Sequence, residues 1–180
     1  MKSLLFSLAA VTTAFMMACN TAPTASTPWT QLPIPKLECT VEYPQHWQVA
    51  VTGSDSSQYS FLADMIDSNA TFSTRISLRN EKMPFALNAA DYNQGMITMI
   101  QLSNPGLQVY PLPIDTVDKN QYHGYTFQFQ DKDSTRYSVY GYTLLRDSLA
   151  YAINMTCESD KAKPYADTLK QFLQKIRFNP

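Results

Sequence analysis

The sequence has little glycine, little histidine and almost no net charge. It contains five glycines and two histidines in 180 residues, with a formal net charge of −1. So few glycines make phosphate-binding loops hard to build, and motifs for nucleotide binding, zinc proteases and serine hydrolases are absent. A phosphate backbone needs a basic stripe, which is also missing. The sequence therefore predicts a protein that is not an enzyme, carries no cofactor and binds no nucleic acid.

The N-terminal stretch differs from the rest of the chain. Its apolar, uncharged run is too short to span a membrane comfortably and has the build of a secretory signal. The segment Met16-Met17-Ala18-Cys19 resembles a bacterial lipobox, with Met16 in place of the usual leucine. We expect residues 1–18 to be a lipoprotein signal peptide and Cys19 to be lipidated. The alternative is an ordinary cleaved signal that happens to contain a cysteine.

The segment that follows, residues 19–35, has the composition of a tether. It is rich in Thr, Pro, Ala and Ser and has no charge, so it cannot bury enough apolar surface to fold alone. With the lipid it would hold a domain, residues 36–180, off a membrane. Asn20 is not an aspartate and no acidic cluster follows the cysteine. We therefore expect an outer-membrane anchor in the cell envelope, facing the periplasm.

Two further cysteines, Cys39 and Cys157, fall within apparent strands and share the alternation of apolar residues around them. Export to an oxidising compartment favours a disulfide between them. Such a bridge would close a long loop and stabilise the fold by roughly 2–5 kcal/mol. Two separate buried thiols are the alternative.

Hydrophobic periodicity predicts an α+β domain with a mainly antiparallel sheet flanked by helices. A helix is expected from residue 89, capped by Asn88 and ended by Asn104-Pro105-Gly106, and a second over residues 163–175. The expected strands are residues 37–43, 47–51, 59–63, 71–78, 107–112, 116–121, 125–130, 135–145 and 149–157.

The corner Tyr43-Pro44-Gln45-His46-Trp47 supports a more specific interpretation. Together with the mid-chain helix, the aromatic late strands and the final "ADTLKQFLQKIRF", it resembles the PsbP/DcrB-like family of α/β/α sandwiches. The resemblance implies that fold over about residues 37–179, and a non-catalytic accessory or binding role. Within it Trp47 fills the space under the corner, and His46 is an exposed turn residue.

Tyrosine is abundant in the sequence, with 11 in the chain and seven of them from Tyr122 onward. Tyrosines are common both in pockets and on half-buried sheet faces. The candidate ligand surface consists of Tyr137, Tyr140, Tyr142 and Tyr151.

These observations leave three functional hypotheses. The favoured one is a lipid-anchored envelope protein that contacts a protein partner. The alternative is a lipoprotein that binds a small ligand or glycan in a tyrosine-rich cleft. A hydrolase would need His46 or His123 beside a carboxylate and an exposed serine. No metal is expected, because Asp131 with Asp133 resembles a turn, and Asp64, Asp67 and Asn69 lack the rest of a calcium loop.

Overall fold

The computed structural model describes residues 28–52, 57–63, 74–83 and 86–179. These residues form ten strands, two α-helices and short 3₁₀ helices at Pro35–Leu37 and Ser159–Lys161. The helices are α1 (Ala89–Ser103) and α2 (Ala162–Gln174). The strands are β1 (Trp29–Ile34), β2 (Cys39–Pro44), β3 (Gln48–Thr52), β4 (Gln58–Leu62), β5 (Arg75–Lys82), β6 (Val109–Val117), β7 (Asn120–Gln130), β8 (Arg136–Arg146), β9 (Leu149–Glu158) and β10 (Ile176–Phe178).

The strands form two antiparallel sheets. The larger has the order β3-β4-β5-β9-β8-β7-β6, and the smaller has the order β1-β2-β10. One face of the large sheet, here called the helix face, packs against α1 through β6, β7 and β8. The other, here called the core face, packs against α2 and the small sheet in one hydrophobic cluster. The α+β sandwich expected from the sequence is therefore confirmed.

Polar contacts cap the start of helix α1 and attach it to the large sheet, and the sequence predicts the cap. Asn88 is its N-cap, and its side chain accepts a hydrogen bond from the backbone N–H of Asp91 at 2.8 Å. On the sheet side Thr143 Oγ1 donates to Asn93 Oδ1 at 3.0 Å, and both residues are buried. The start of the helix is thus fixed to β8.

The prediction of a flexible tether over residues 19–35 is wrong for its last part. Residues Trp29–Ile34 form β1, which pairs with β2 along its whole length, and Ile34 is fully buried. Lys175 Nζ lies 5.2 Å from the centroid of the Trp29 ring. Because β2 supplies the missing hydrogen-bond partners and apolar surface, this uncharged segment folds where its composition alone would not. Cys19 and residues 20–27 lie outside the described residues.

The strand predictions are also wrong around residues 107–121. The first expected strand and the start of the second belong to β6, which has a bulge between Leu112 and Asp115, and the second expected strand ends in β7. The second expected strand runs into a hairpin turn at Asp118 and Lys119, where φ is 47° and 70°. β6 contains two prolines, which are tolerated because it is an edge strand.

The corner at residues 43–47 is structural, as expected. Trp47 N–H donates to the carbonyl of Pro44 at 2.9 Å, which closes the turn after β2. The Trp47 indole is buried and packs edge-on against Tyr165 of α2, with ring centroids 6.2 Å apart. His46 is exposed.

Strands β7 and β8 approach closely at one aromatic side chain on the helix face. The ring of Tyr125 lies across Gly141, so that a Cβ at Gly141 would lie 2.2 Å from Tyr125 Cζ. The Tyr125 hydroxyl donates to Asn154 Oδ1 on β9 at 2.7 Å. The missing side chain of Gly141 therefore provides the space in which this ring bridges three strands.

We predict that Gly141→Ala destabilises the protein, because the added Cβ must displace the Tyr125 ring. A loss of about 1–3 kcal/mol in the free energy of unfolding is expected from urea denaturation. Gly95→Ala is the matched control, since a Cβ there meets nothing within 4 Å on α1. It should raise stability by roughly 0.5–1 kcal/mol. Equal effects of the two substitutions would contradict this packing.

Candidate functional site

The four tyrosines of the predicted ligand surface do not form one cleft. Alternation along β8 places Tyr137 on the helix face, and Tyr140 and Tyr142 on the core face. Tyr151 is also on the core face, but it is 2% exposed and packs against Phe178, with ring centroids 4.7 Å apart. Burial raises the pKa of Tyr142 and Tyr151 above the ordinary value. These hydroxyls therefore stay protonated at neutral pH, and most of this surface is core packing.

A concave surface with an aromatic wall lies instead on the helix face. Tyr125, Phe127 and Phe129 follow one another on the same side of β7, and each neighbouring pair of ring centroids is 6.4 Å apart. Phe129 also stacks on Tyr137, with centroids 5.2 Å apart. The helix-face groove has a volume of about 380 Å³ and is lined by Arg75, Ser77, Met96, Ile100, Tyr125, Phe127, Phe129, Val139, Asn154 and Thr156.

The side of the groove formed by β5 and β9 is polar. Arg75 and Ser77 come from β5, and Asn154 and Thr156 come from β9. Ser77 Oγ donates to the backbone carbonyl of Asn154 at 3.3 Å. Burial raises the pKa of Tyr125 to about 12, so its hydroxyl remains a donor to Asn154. The lining contains no carboxylate, histidine or cysteine. This arrangement can bind a molecule with an apolar part and a polar part.

A second concavity adjoins the groove at the start of β6. It has a volume of about 480 Å³, and it shares Phe127 with the groove. Tyr140 lines it and is one of the predicted ligand residues. The other residues that line it are Gly106, Leu107, Gln108, Tyr110, Thr126 and Gln128.

Large exposed hydrophobic side chains are concentrated on the elements around these two concavities. Of the six within the described residues, five belong to α1, β6 and β7, and the sixth is Val51 on β3. Leu102 is the most exposed, at 75%. The five are Met99, Leu102, Tyr110, Ile114 and Phe129. The apolar surface is therefore unevenly distributed.

No arrangement of metal-binding side chains occurs among the described residues. They contain no group of three or more His, Cys, Asp or Glu placed to hold a metal ion. Asp133 N–H donates to Asp131 Oδ1 at 2.6 Å, which is the turn contact expected of this pair. The second candidate metal set, at residues 64, 67 and 69, lies outside the described residues. In the part that the structure describes, no helix is long and apolar enough to cross a membrane.

The two cysteines that were expected to form a bridge are free thiols in the structure. Cys39 is on β2 in the small sheet, and Cys157 is on β9 in the large sheet. Both point into the common core, as their alternation indicated, and both are buried. Burial raises the pKa of Cys39 to about 12 and that of Cys157 to about 11. The alternation of residues in the strands therefore predicted correctly that both cysteines face the core, but the expected bond between them is not present.

The fold has counterparts among solved structures. Cyanobacterial PsbP (CyanoP) from Synechocystis sp. PCC 6803 has a TM-score of 0.59 at 11% identity, over 87% of this chain and 95% of that one. LpqN, involved in cell envelope biogenesis of Mycobacterium tuberculosis, has a TM-score of 0.62 at 14% identity, over 87% and 88%. A protein from Bacteroides thetaiotaomicron VPI-5482 has a TM-score of 0.55 at 12% identity. There the match covers 83% of this chain but only 48% of the other.

The sandwich with one helix on the helix face and one on the core face is therefore the PsbP/DcrB-like fold, and the resemblance found in the sequence is confirmed at the level of fold. No family model and no curated protein matches the chain by sequence. At these identities the likeness concerns the fold alone.

We predict that the two buried thiols react only after unfolding. In a chain with Cys19→Ala, iodoacetamide at pH 8 should leave the folded protein unmodified and add two groups in denaturant without reductant. The ordinary thiol pKa is 9.0, and in the folded chain the pKa of Cys39 is about 12. Thiolates therefore form first in the unfolded chain, and stability falls as the pH rises from 9.0 through about 12. Two alkylations that appear only after reduction would instead reveal the bridge.

We predict opposite effects of removing two buried hydroxyls. Tyr122 Oη is buried and has no hydrogen-bond partner in the part of the chain that the structure describes. Tyr122→Phe should leave the free energy of unfolding unchanged or raise it by up to about 2 kcal/mol. Tyr125→Phe should lower it by about 1 kcal/mol, because Asn154 loses a hydrogen bond. Chemical denaturation measures both, and a larger loss in Tyr122→Phe would show that this hydroxyl has a partner.

Proposed function

We propose that the protein is a non-catalytic, lipid-anchored envelope protein that acts through contacts with a protein partner. The observation that carries this proposal is the concentration of exposed apolar side chains on α1, β6 and β7. Large exposed apolar side chains grouped on adjoining elements are typical of sites of protein or membrane interaction.

The chemistry of this surface favours a protein contact. Met99 and Leu102 stand out from α1, and Tyr110 and Ile114 stand out from the adjoining edge strand β6. Methionine and aromatic residues are enriched in protein interfaces, where charged residues are depleted. The described part of α1 has one acidic and no basic residue. It therefore lacks the cationic side chains with which an interfacial helix holds anionic lipids.

The location in the envelope is supported by sequence and by one structural neighbour. The lipobox-like Met16-Met17-Ala18-Cys19 supports a lipid on Cys19, and Asn20 supports outer-membrane placement facing the periplasm. LpqN, which has the same fold, is involved in cell envelope biogenesis in its own organism. In our proposal residues 20–28 connect the lipid to β1, so that the domain stays within a short distance of the membrane.

Site-specific photocrosslinking in cells tests the protein contact. A photoreactive amino acid at position 102 and, separately, at position 114 should trap the same partner, because both sites lie on the apolar surface. Position 170 is the control, since Lys170 is exposed on α2, which packs on the core face of the large sheet. A partner trapped equally from all three positions, or from none, would contradict the proposal.

The lipid anchor has a separate test. Cys19→Ala should abolish metabolic labelling with palmitate, because the acylated side chain is removed. Cys39→Ala is the matched control, and it should keep the label, because Cys39 is a buried core thiol. If the Cys19→Ala protein stays labelled, the anchor lies elsewhere.

Ligand binding, the alternative function, is favoured by a different observation. The helix-face groove is concave and partly aromatic, although its lining residues are not the four tyrosines expected from the sequence.

A further inference from the structure

We propose that the helix-face groove binds an amphiphile that has one apolar chain or ring and one carboxylate head group. The apolar part would lie on the side formed by α1, β7 and β8, and the carboxylate would lie at Arg75. This site shares Phe129 with the exposed apolar side chains of the protein contact proposed above, and it is tested separately.

The apolar side of the groove is open to solvent and incompletely covered by α1. Met96 and Ile100 project from the helix, and Phe127 and Phe129 project from the sheet. Phe129 remains 38% exposed although it stacks on a neighbouring ring. The volume of about 380 Å³ lies within the range of small-ligand sites, roughly 300–1,000 Å³. An apolar chain placed here would remove these side chains from water.

The polar side of the groove determines the charge of the ligand. Arg75 is the charged residue of the lining, and Ser77, Asn154 and Thr156 beside it are polar and neutral. A guanidinium group matches a carboxylate in a bidentate geometry. Arg75 also interacts with another residue of the protein, but a guanidinium has five N–H donors and can serve more than one acceptor.

Two carboxylates on the helix face have partners among the described residues. Glu81 accepts a hydrogen bond from Tyr92, and Glu158 forms an ion pair with Lys161 at 2.8 Å. Because the lining of the groove contains Arg75 and no carboxylate, the groove favours an anion. One cation suits a singly charged carboxylate better than a phosphate monoester, which carries nearly two charges at neutral pH.

The floor of the groove is held in place before any ligand binds. Tyr125 is seated over Gly141, and its hydroxyl bonds to Asn154, which itself lines the polar side. These contacts fix the spacing between the aromatic side and the polar side. A ligand therefore binds without first ordering the floor, which reduces the entropic cost of binding.

Equilibrium dialysis with radiolabelled decanoate, below its micelle concentration, tests the site. The protein is the chain with Cys19→Ala, in which no attached lipid competes. Saturable binding at one site per chain is expected, and unlabelled decanoate should displace it. Decyltrimethylammonium, which has the same chain and a cationic head group, should not compete. Absence of saturable binding, or equal competition by the cationic amphiphile, would overturn the proposal.

Variants then locate the bound decanoate. Arg75→Gln should weaken binding roughly tenfold or more, as expected for the loss of a charge-assisted hydrogen bond. Arg79→Gln is the matched control, because Arg79 is on the same face of β5 but does not line the groove, and it should change binding less than twofold. Phe129→Ala should also weaken binding by removing apolar surface. Thermal unfolding of each variant confirms that it is folded.

Equal losses in Arg75→Gln and Arg79→Gln would show a general charge effect and overturn the assignment to the groove. Unchanged affinity in both Arg75→Gln and Phe129→Ala would do the same. Decyl phosphate provides the last comparison, and tighter binding of decyl phosphate than of decanoate would overturn the choice of a carboxylate.

Discussion

The burial of β8 and β9 on both faces of the large sheet is the constraint on which the other features depend. Residues 150–153 are all buried, with Tyr151 and Ile153 on the core face and two alanines on the helix face. Large side chains thus fill the core beneath α2 and the small sheet. Gly141 and the alanines keep the helix face shallow, which leaves room there for the ring of Tyr125 and for α1. The groove remains where small polar residues of β5 and β9 extend beyond the helix.

The elements with a clear local pattern were predictable from the sequence. The pattern of residues 125–157 predicted the second half of β7 together with β8 and β9, and Asn88 with the apolar stripe predicted α1. β1 and β10 were not predictable in this way, because each is short and is stabilised by pairing with β2, far away in the sequence. β6 was predicted as two strands, and the bulge between Leu112 and Asp115 interrupts its alternation. The errors therefore fall where non-local pairing outweighs local composition.

The candidate site was less predictable, because it depends on strand order. Alternation places Tyr125, Phe127 and Phe129 on one side of β7, and the same rule places Arg75 and Ser77 together on β5. Only the order β5-β9-β8-β7 brings the two sets into one groove. An abundance of tyrosine was a weaker guide, because most of the tyrosines fill the core. The floor depends most on Gly141, because the ring of Tyr125 on the neighbouring strand occupies the space that a side chain at position 141 would fill.

Helix α1 connects the two proposals. Its first half is fixed to the sheet by polar contacts, from Tyr92 to Glu81 and from Thr143 to Asn93. Its second half lacks such contacts to the sheet in the described residues, and it is held there by packing. This second half supplies Met96 and Ile100 to the groove and, on its outer side, Met99 and Leu102 to solvent. A ligand in the groove and a protein on the apolar surface would therefore both contact this second half of α1.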